Sequence, residues 1–198
     1  YTRNVAFYDH YLPSKMVTAP IAYIIPKAWV QVISRLRSNG VHMERFDADT
    51  TMNVTAYHID NYETVSKPYE SHYLHKNVQV TPETISLKVT AGDYFVPLNQ
   101  HCKRYLVETL EPTGPDAFFA WNFFAGILQQ KEYFSDYVFE DMAAKMLDKD
   151  PALKVMLDHK RKEDSTLAKS ADAQLDFIYR HSKYMEPEVM RYPVYRVE

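Results

Sequence analysis

Nine aromatic side chains crowd the stretch from Pro115 to Met142: Phe118, Phe119, Trp121, Phe123, Phe124, Tyr133, Phe134, Tyr137 and Phe139. Burying one large apolar side chain is worth about 1.5–3 kcal/mol, so a solvated surface does not hold so many in succession. The block is expected at the centre of a packed core or at an interface. That constrains architecture and carries no chemistry of its own.

The chain has 198 residues, enough for one large domain or two small ones, and a chain of this size hides about 70% of the surface its unfolded form exposes. It needs neither disulfide nor metal to hold a core. Four glycines and eleven prolines leave little room for low-complexity linkers. A formal charge of −3 argues against a polyanionic partner, so nucleic-acid binding is not expected. Cys102 is the single cysteine and excludes an intrachain disulfide. No apolar run approaches the ~20 residues of a membrane helix, and no membrane partner is expected. The opening YTRNVAFYDHYLP is aromatic and polar, unlike a signal peptide, and its start without Met reads as a cut from a longer precursor.

Periodicity predicts one α+β domain over residues 1–198, with a βαβ unit and antiparallel strands in 20–97, a helical part in 98–186 and an extended tail in 187–198. Ile21–Ile25 is a short apolar run between prolines. Trp29, Val32, Ile33 and Leu36 then recur at helical spacing, Gly40 stands at a helix C-terminus, and Val41–Phe46 follows as a strand, parallel to the first. Met52, Val54 and Ala56 alternate with polar residues, as do Ile85, Leu87 and Val89, the mark of half-buried antiparallel strands. Tyr62–Lys76 between them reads as a loop, and Ala91-Gly92-Asp93 as a turn before a strand at Tyr94–Val96. Further on, Cys102, Tyr105, Leu106 and Leu110 form one helical stripe, and Val138, Phe139, Met142, Met146 and Leu147 another. Asp116 is placed to cap a helix through the aromatic block, Asp150-Pro151 to start one, and Ser170 to cap the last. Tyr192 and Tyr195 are expected to pin the closing segment.

Chemistry is scarce. None of the eight histidines, His10, His42, His58, His72, His75, His101, His159 and His181, is followed three residues later by Glu, so the His-x-x-Glu pattern of one kind of zinc-hydrolase site is missing. The nearest substitute is Glu70-Ser71-His72-Tyr73-Leu74-His75. On a helix His72 and His75 share a face; on a strand Glu70 and His72 do. Either way only two ligands converge, too few for zinc. Polar loop residues bonded locally are the plainer reading of this segment. Tyr69, Glu70, His72, Tyr73 and His75 remain binding candidates, with Tyr69 and Tyr73 as loop aromatics beside His72. A self-contained hydrolase would require His72 or His75 to meet distant carboxylates in one pocket. Cys102 lies on an apolar stripe, where a buried inert thiol is the ordinary outcome. Lys160-Arg161-Lys162 reads as a solvated helix end offset by Glu163 and Asp164. Trp121 and its neighbours could line a groove for peptide or sugar, though core packing is the commoner use of such residues.

The blocks AYIIPKAWVQVISRLRSNGVHMERF, GDYFVPLNQ, LEPTGPDAFFAWNFF, LQQKEYFSDYVFEDMA, AQLDFIYRHS and RYPVYRV, in this order, resemble the C-terminal region of bacterial zinc carboxypeptidase-like proteins of the carboxypeptidase A-type metallopeptidase family. In that family the zinc ligands, the glutamate base and the arginine that holds a substrate carboxylate sit in a preceding catalytic domain, and no residue here matches them. The resemblance therefore implies a non-catalytic accessory domain, with no catalytic or metal residue of its own. It implies zinc only in the catalytic domain, that domain as partner, peptide substrate as a second, and export to the periplasm or medium. The competing expectation from the residues is an independent module that binds peptide or glycan.

Overall fold

A computed structural model describes residues 1–13, 15–131 and 133–198. The chain divides into two compact units, Tyr1–Ala125 with Arg191–Glu198, and Gly126–Met190. The fold class is α+β, with the strands mostly in the first half and the longer helices in the second.

The first unit is built on a six-stranded sheet of order β2-β5-β1-β6-β3-β4. The strands are β1 Ala22–Ile25, β2 Glu44–Arg45, β3 Thr50–Thr64, β4 His75–Val89, β5 Tyr94–Pro97 and β6 Tyr195–Val197. All neighbouring pairs are antiparallel. β1 and β2 each run antiparallel to β5, so they are parallel to one another with β5 between them. Helix α1, Val30–Ser38, connects them and buries Val32, Ile33 and Leu36. Gly40, at φ 72°, takes the left-handed conformation that ends the helix. The strand expected over Val41–Phe46 is only Glu44–Arg45, since it pairs at the sheet edge with Phe95 and Tyr94 alone.

The expected loop over Tyr62–Lys76 is shorter than the sequence suggests. β3 and β4 stay paired from Thr50↔Val89 to Thr64↔His75, with register shifts near Asn61. The outer end of this hairpin is held by polar pairs on solvent: Asn77 Nδ2 donates to Glu63 Oε1 at 2.7 Å, Lys76 Nζ approaches Glu63 at 3.2 Å, and Thr81 Oγ1 donates to Asp60 at 2.7 Å. The face turned inward here carries Tyr62, His75 and Val78 among polar neighbours, so no regular apolar alternation marks these residues as strand. The turn at Gly92 (φ 93°) and strand β5 stand where expected.

Residues 195–197 are more than a tail. β6 inserts between β1 and β3, with Ala22↔Val197 and Thr55↔Arg196 in register. Tyr192 is fully buried, and its hydroxyl donates to the carbonyl of Leu110 at 2.8 Å, at the end of α2 (Lys103–Leu110). On one side of the sheet Ile24, Val54, Ala56, Val89 and Tyr195 form an apolar cluster.

The aromatic block is not a helix where Asp116 was expected to cap one. Residues 118–124 run as successive turns, and Asn122 at φ 58° interrupts any helix through them. The reason is packing: Phe118, Phe119 and Phe124 are buried while Trp121 and Phe123 are half-buried, a distribution that turns achieve by aiming rings in several directions. Phe119 and Phe124 both meet Tyr192 edge-on, at 6.1 and 5.1 Å between ring centres. Tyr133 and Tyr137, by contrast, are exposed at 78% and 89%, so the block is not buried throughout.

The second unit is helical: α3 Asp136–Lys149, α4 Pro151–Glu163, α5 Ser165–Lys169 and α6 Ala171–Arg180. They enclose Phe139, Ala143, Leu153, Leu157, Leu167, Ile178 and Tyr179. Asp150 caps α4 through bonds from Ala152 N (3.0 Å) and Leu153 N (3.1 Å), and Ser170 Oγ accepts from Ala173 N at 3.2 Å. Asp164, read from sequence as a counter-charge, caps α5. Val138 leaves the expected apolar face of α3 and is exposed.

Candidate functional site

The segment 65–74 joins β3 to β4. Within it Tyr69 and His72 exchange both backbone hydrogen bonds, at 2.9 Å each, closing a two-residue turn on Glu70 and Ser71. Both central residues have positive φ, 46° and 68°. Such a turn ordinarily takes Asn and Gly, so Glu70 and Ser71 hold a conformation that costs an L side chain energy. The effect is to place Glu70 and His72 beside the turns that follow α2.

There the two segments form a cavity of about 310 Å³, lined by Arg35, Glu70, His72, Asp116, Trp121 and Phe123 over buried Phe118. The His72 ring lies 5.8 Å from Trp121, edge-on, and 5.3 Å from Phe123. Tyr69 extends this surface at 6.1 Å from Trp121. The Arg35 guanidinium sits 4.3 Å above the Phe123 ring, a cation–π contact. Glu70 and Asp116 line the same cavity and have no hydrogen-bond or ion-pair partner among the described residues. Three of the five candidates, Tyr69, Glu70 and His72, thus come together, and Arg35, Asp116, Trp121 and Phe123 join them from elsewhere in the chain. Asp116 was read as a helix cap and Trp121 mainly as core. Only the half-buried position of Trp121 separates it from its buried neighbours, and no sequence period encodes that.

The other two candidates lie apart from the cavity. Tyr73 is half exposed and does not line it. His75 is turned into the core at 6% exposure, against Tyr62 (4.8 Å) and Phe119 (5.2 Å). Its Nδ1 bonds Thr64 Oγ1 at 3.0 Å and its backbone N–H bonds Ala120 O at 2.8 Å, which ties the hairpin to the aromatic segment. Its Nε2 and Asn122 Oδ1 are buried and form no well-directed hydrogen bond, although Asn122 lies near enough to oppose in part the effect of burial on the imidazole. Burial holds the His75 imidazole below its usual pKa of 6.5. His72 and His75 therefore face different surroundings. Among the described residues no three His, Cys, Asp or Glu side chains group as a metal site would require.

A second polar cluster lies inside the same unit and was invisible in the sequence. Arg196 on β6 donates through Nη1 to Glu111 Oε1 (2.7 Å) and to the Tyr57 hydroxyl (2.9 Å), through Nη2 to Thr18 O (2.7 Å) and through Nε to Glu198 Oε1 (2.8 Å). The Tyr23 hydroxyl donates to Glu111 Oε1 at 2.7 Å. Glu111 and Arg196 are buried. Burial pushes the Glu111 carboxyl above its usual range, opposed by the Tyr23 and Arg196 donors, and also raises the Tyr23 phenol. The members bond one another, so the cluster clamps β1, β3 and β6 to the end of α2.

Over 99 residues, half of its length, the chain is 27% identical to carboxypeptidase 2 of Trichophyton tonsurans, and equally to that of Trichophyton equinum. The matched stretch spans 18% of those relatives' own length. The relation this shows is a distant, carboxypeptidase-like one. No protein-family model and no solved structure matches the chain.

Proposed function

We propose that this chain is an accessory C-terminal domain of a zinc carboxypeptidase-like protein, without catalytic residues of its own, that packs against the peptidase domain and supports it. The observation that carries this reading is the similarity to the fungal carboxypeptidases 2 over half the chain, in a sequence with no His-x-x-Glu. The N-terminal segment adds support: Tyr1, Val5, Phe7, Tyr8, Tyr11 and Leu12 are all at least 77% exposed. Apolar groups left in water at that density mark a surface that a partner covers. The test is to supply a carboxypeptidase catalytic domain as a separate polypeptide. The reading expects a complex by analytical ultracentrifugation, weakened when Phe7, Tyr8, Tyr11 and Leu12 are replaced by Ser. Two species that sediment independently would count against it.

A second reading is favoured by one specific observation, the aromatic cavity with its two unpaired carboxylates. In it the unit binds a ligand directly, as a peptide- or glycan-binding module.

A further inference from the structure

We propose that the cavity beside the Glu70–Ser71 turn is a subsite for the basic side chain, Lys or Arg, of a peptide ligand. The proposal rests on the binding-module reading and names its ligand class. Trp121, Phe123 and His72 supply aromatic surface, and the faces of indole and benzene rings attract cations through their quadrupoles. The molecule already makes this kind of contact at the site, since the Arg35 guanidinium rests on Phe123. Glu70 and Asp116 bring two carboxylates to the same cavity against the single Arg35 cation, so the lining carries one uncompensated negative charge. A carboxylate without a partner is an acceptor for a charge-assisted hydrogen bond, which a guanidinium or ammonium group provides. A neutral sugar would stack on Trp121 and leave that charge unbalanced; an acidic side chain would meet it with repulsion. Glu70 reaches this position only because a non-glycine residue is held at positive φ, a local cost in the same place as the unpaired charge.

The experiment is calorimetric titration of the whole chain with acetyl-Gly-Arg-Gly-amide and acetyl-Gly-Lys-Gly-amide. The same peptide with citrulline, which keeps the shape of arginine without its charge, is the control, and chitotriose is a fourth probe. The expected result is saturable binding of both basic peptides that weakens as salt is raised, and citrulline binding at least about tenfold weaker. The variant E70Q/D116N changes two exposed residues, so it should keep the wild-type circular dichroism and melting temperature while losing about tenfold in affinity for the Arg peptide. Citrulline and arginine peptides of equal affinity, no saturable binding by either basic peptide, or binding of chitotriose alone would each overturn the proposal. Chitotriose binding alone would refute the basic subsite and leave the binding-module reading standing, whereas no binding of any probe would count against both.

Discussion

Two clusters in the sheet-containing unit use nearly the same residue types to opposite ends. Around Arg196, one tyrosine (Tyr57) and two carboxylates (Glu111 and Glu198) converge on a guanidinium, and its buried partner Glu111 accepts from both Arg196 and Tyr23. Around Trp121, three rings, two carboxylates and the Arg35 guanidinium share a cavity, yet neither carboxylate is paired. The difference is exposure. A buried charge without a partner costs several kcal/mol, so the interior cluster must be complete within the chain. At the rim water tolerates an unpaired carboxylate, and it remains available for a ligand. The same residue types are thus fully paired inside and left unpaired outside.

The clamp should yield the largest effect. Arg196→Ala leaves Glu111 buried without its counter-charge, and urea denaturation should show a loss of about 3–5 kcal/mol. The double replacement E111L/R196M removes both charges and should recover most of it; equal losses in single and double variants would break the contrast between clamp and cavity. Next in size, Tyr192→Phe takes the donor from the Leu110 carbonyl and should cost about 1–3 kcal/mol in the same assay.

His75 ties the hairpin to the aromatic segment, and its effect depends on pH. Its folded pKa lies below the unfolded value because burial disfavours the imidazolium. Its contribution is therefore fully present above the unfolded pKa of about 6.5, and is lost as pH falls through that value toward the lower folded pKa. Melting temperature should drop on acidification from pH 7 to 5, and His75→Phe should flatten that slope. An unchanged slope in the variant would assign it to other groups.

The smallest expected effect sharpens the comparison most. Replacing Glu70-Ser71 by Asn-Gly relieves two positive-φ positions and should stabilise the chain by up to about 1 kcal/mol. The same change deletes a cavity carboxylate, so affinity for the arginine peptide should fall as stability rises. A rise in both would mean that the turn is merely imperfect.

What the sequence disclosed follows from where regular periods exist. Buried helices and half-buried strands repeat at 3.6 and 2 residues, so α1, α4, α6 and the inner ends of β3 and β4 were legible from Leu36, Asp150, Ser170 and Val54. The outer hairpin was not, because Asn61, Glu63 and Asn77 face water and show no alternation. The turns at 118–124 were misread as helix because aromatic density marks burial without giving direction. At the cavity, Tyr69, Glu70 and His72 were legible as neighbours because they share one short segment. Asp116 and Arg35 were missed because their convergence depends on tertiary folding over long separations, as does the pairing of Glu111 with Arg196.

The claim that this chain supports a peptidase without being one is tested most directly by one assay. The purified chain, incubated with zinc, is given a C-terminally susceptible peptide, and release of the terminal amino acid is followed by mass spectrometry. The account predicts no release above buffer at any zinc concentration. Zinc-dependent release that is abolished by a chelator and restored by added metal would contradict it.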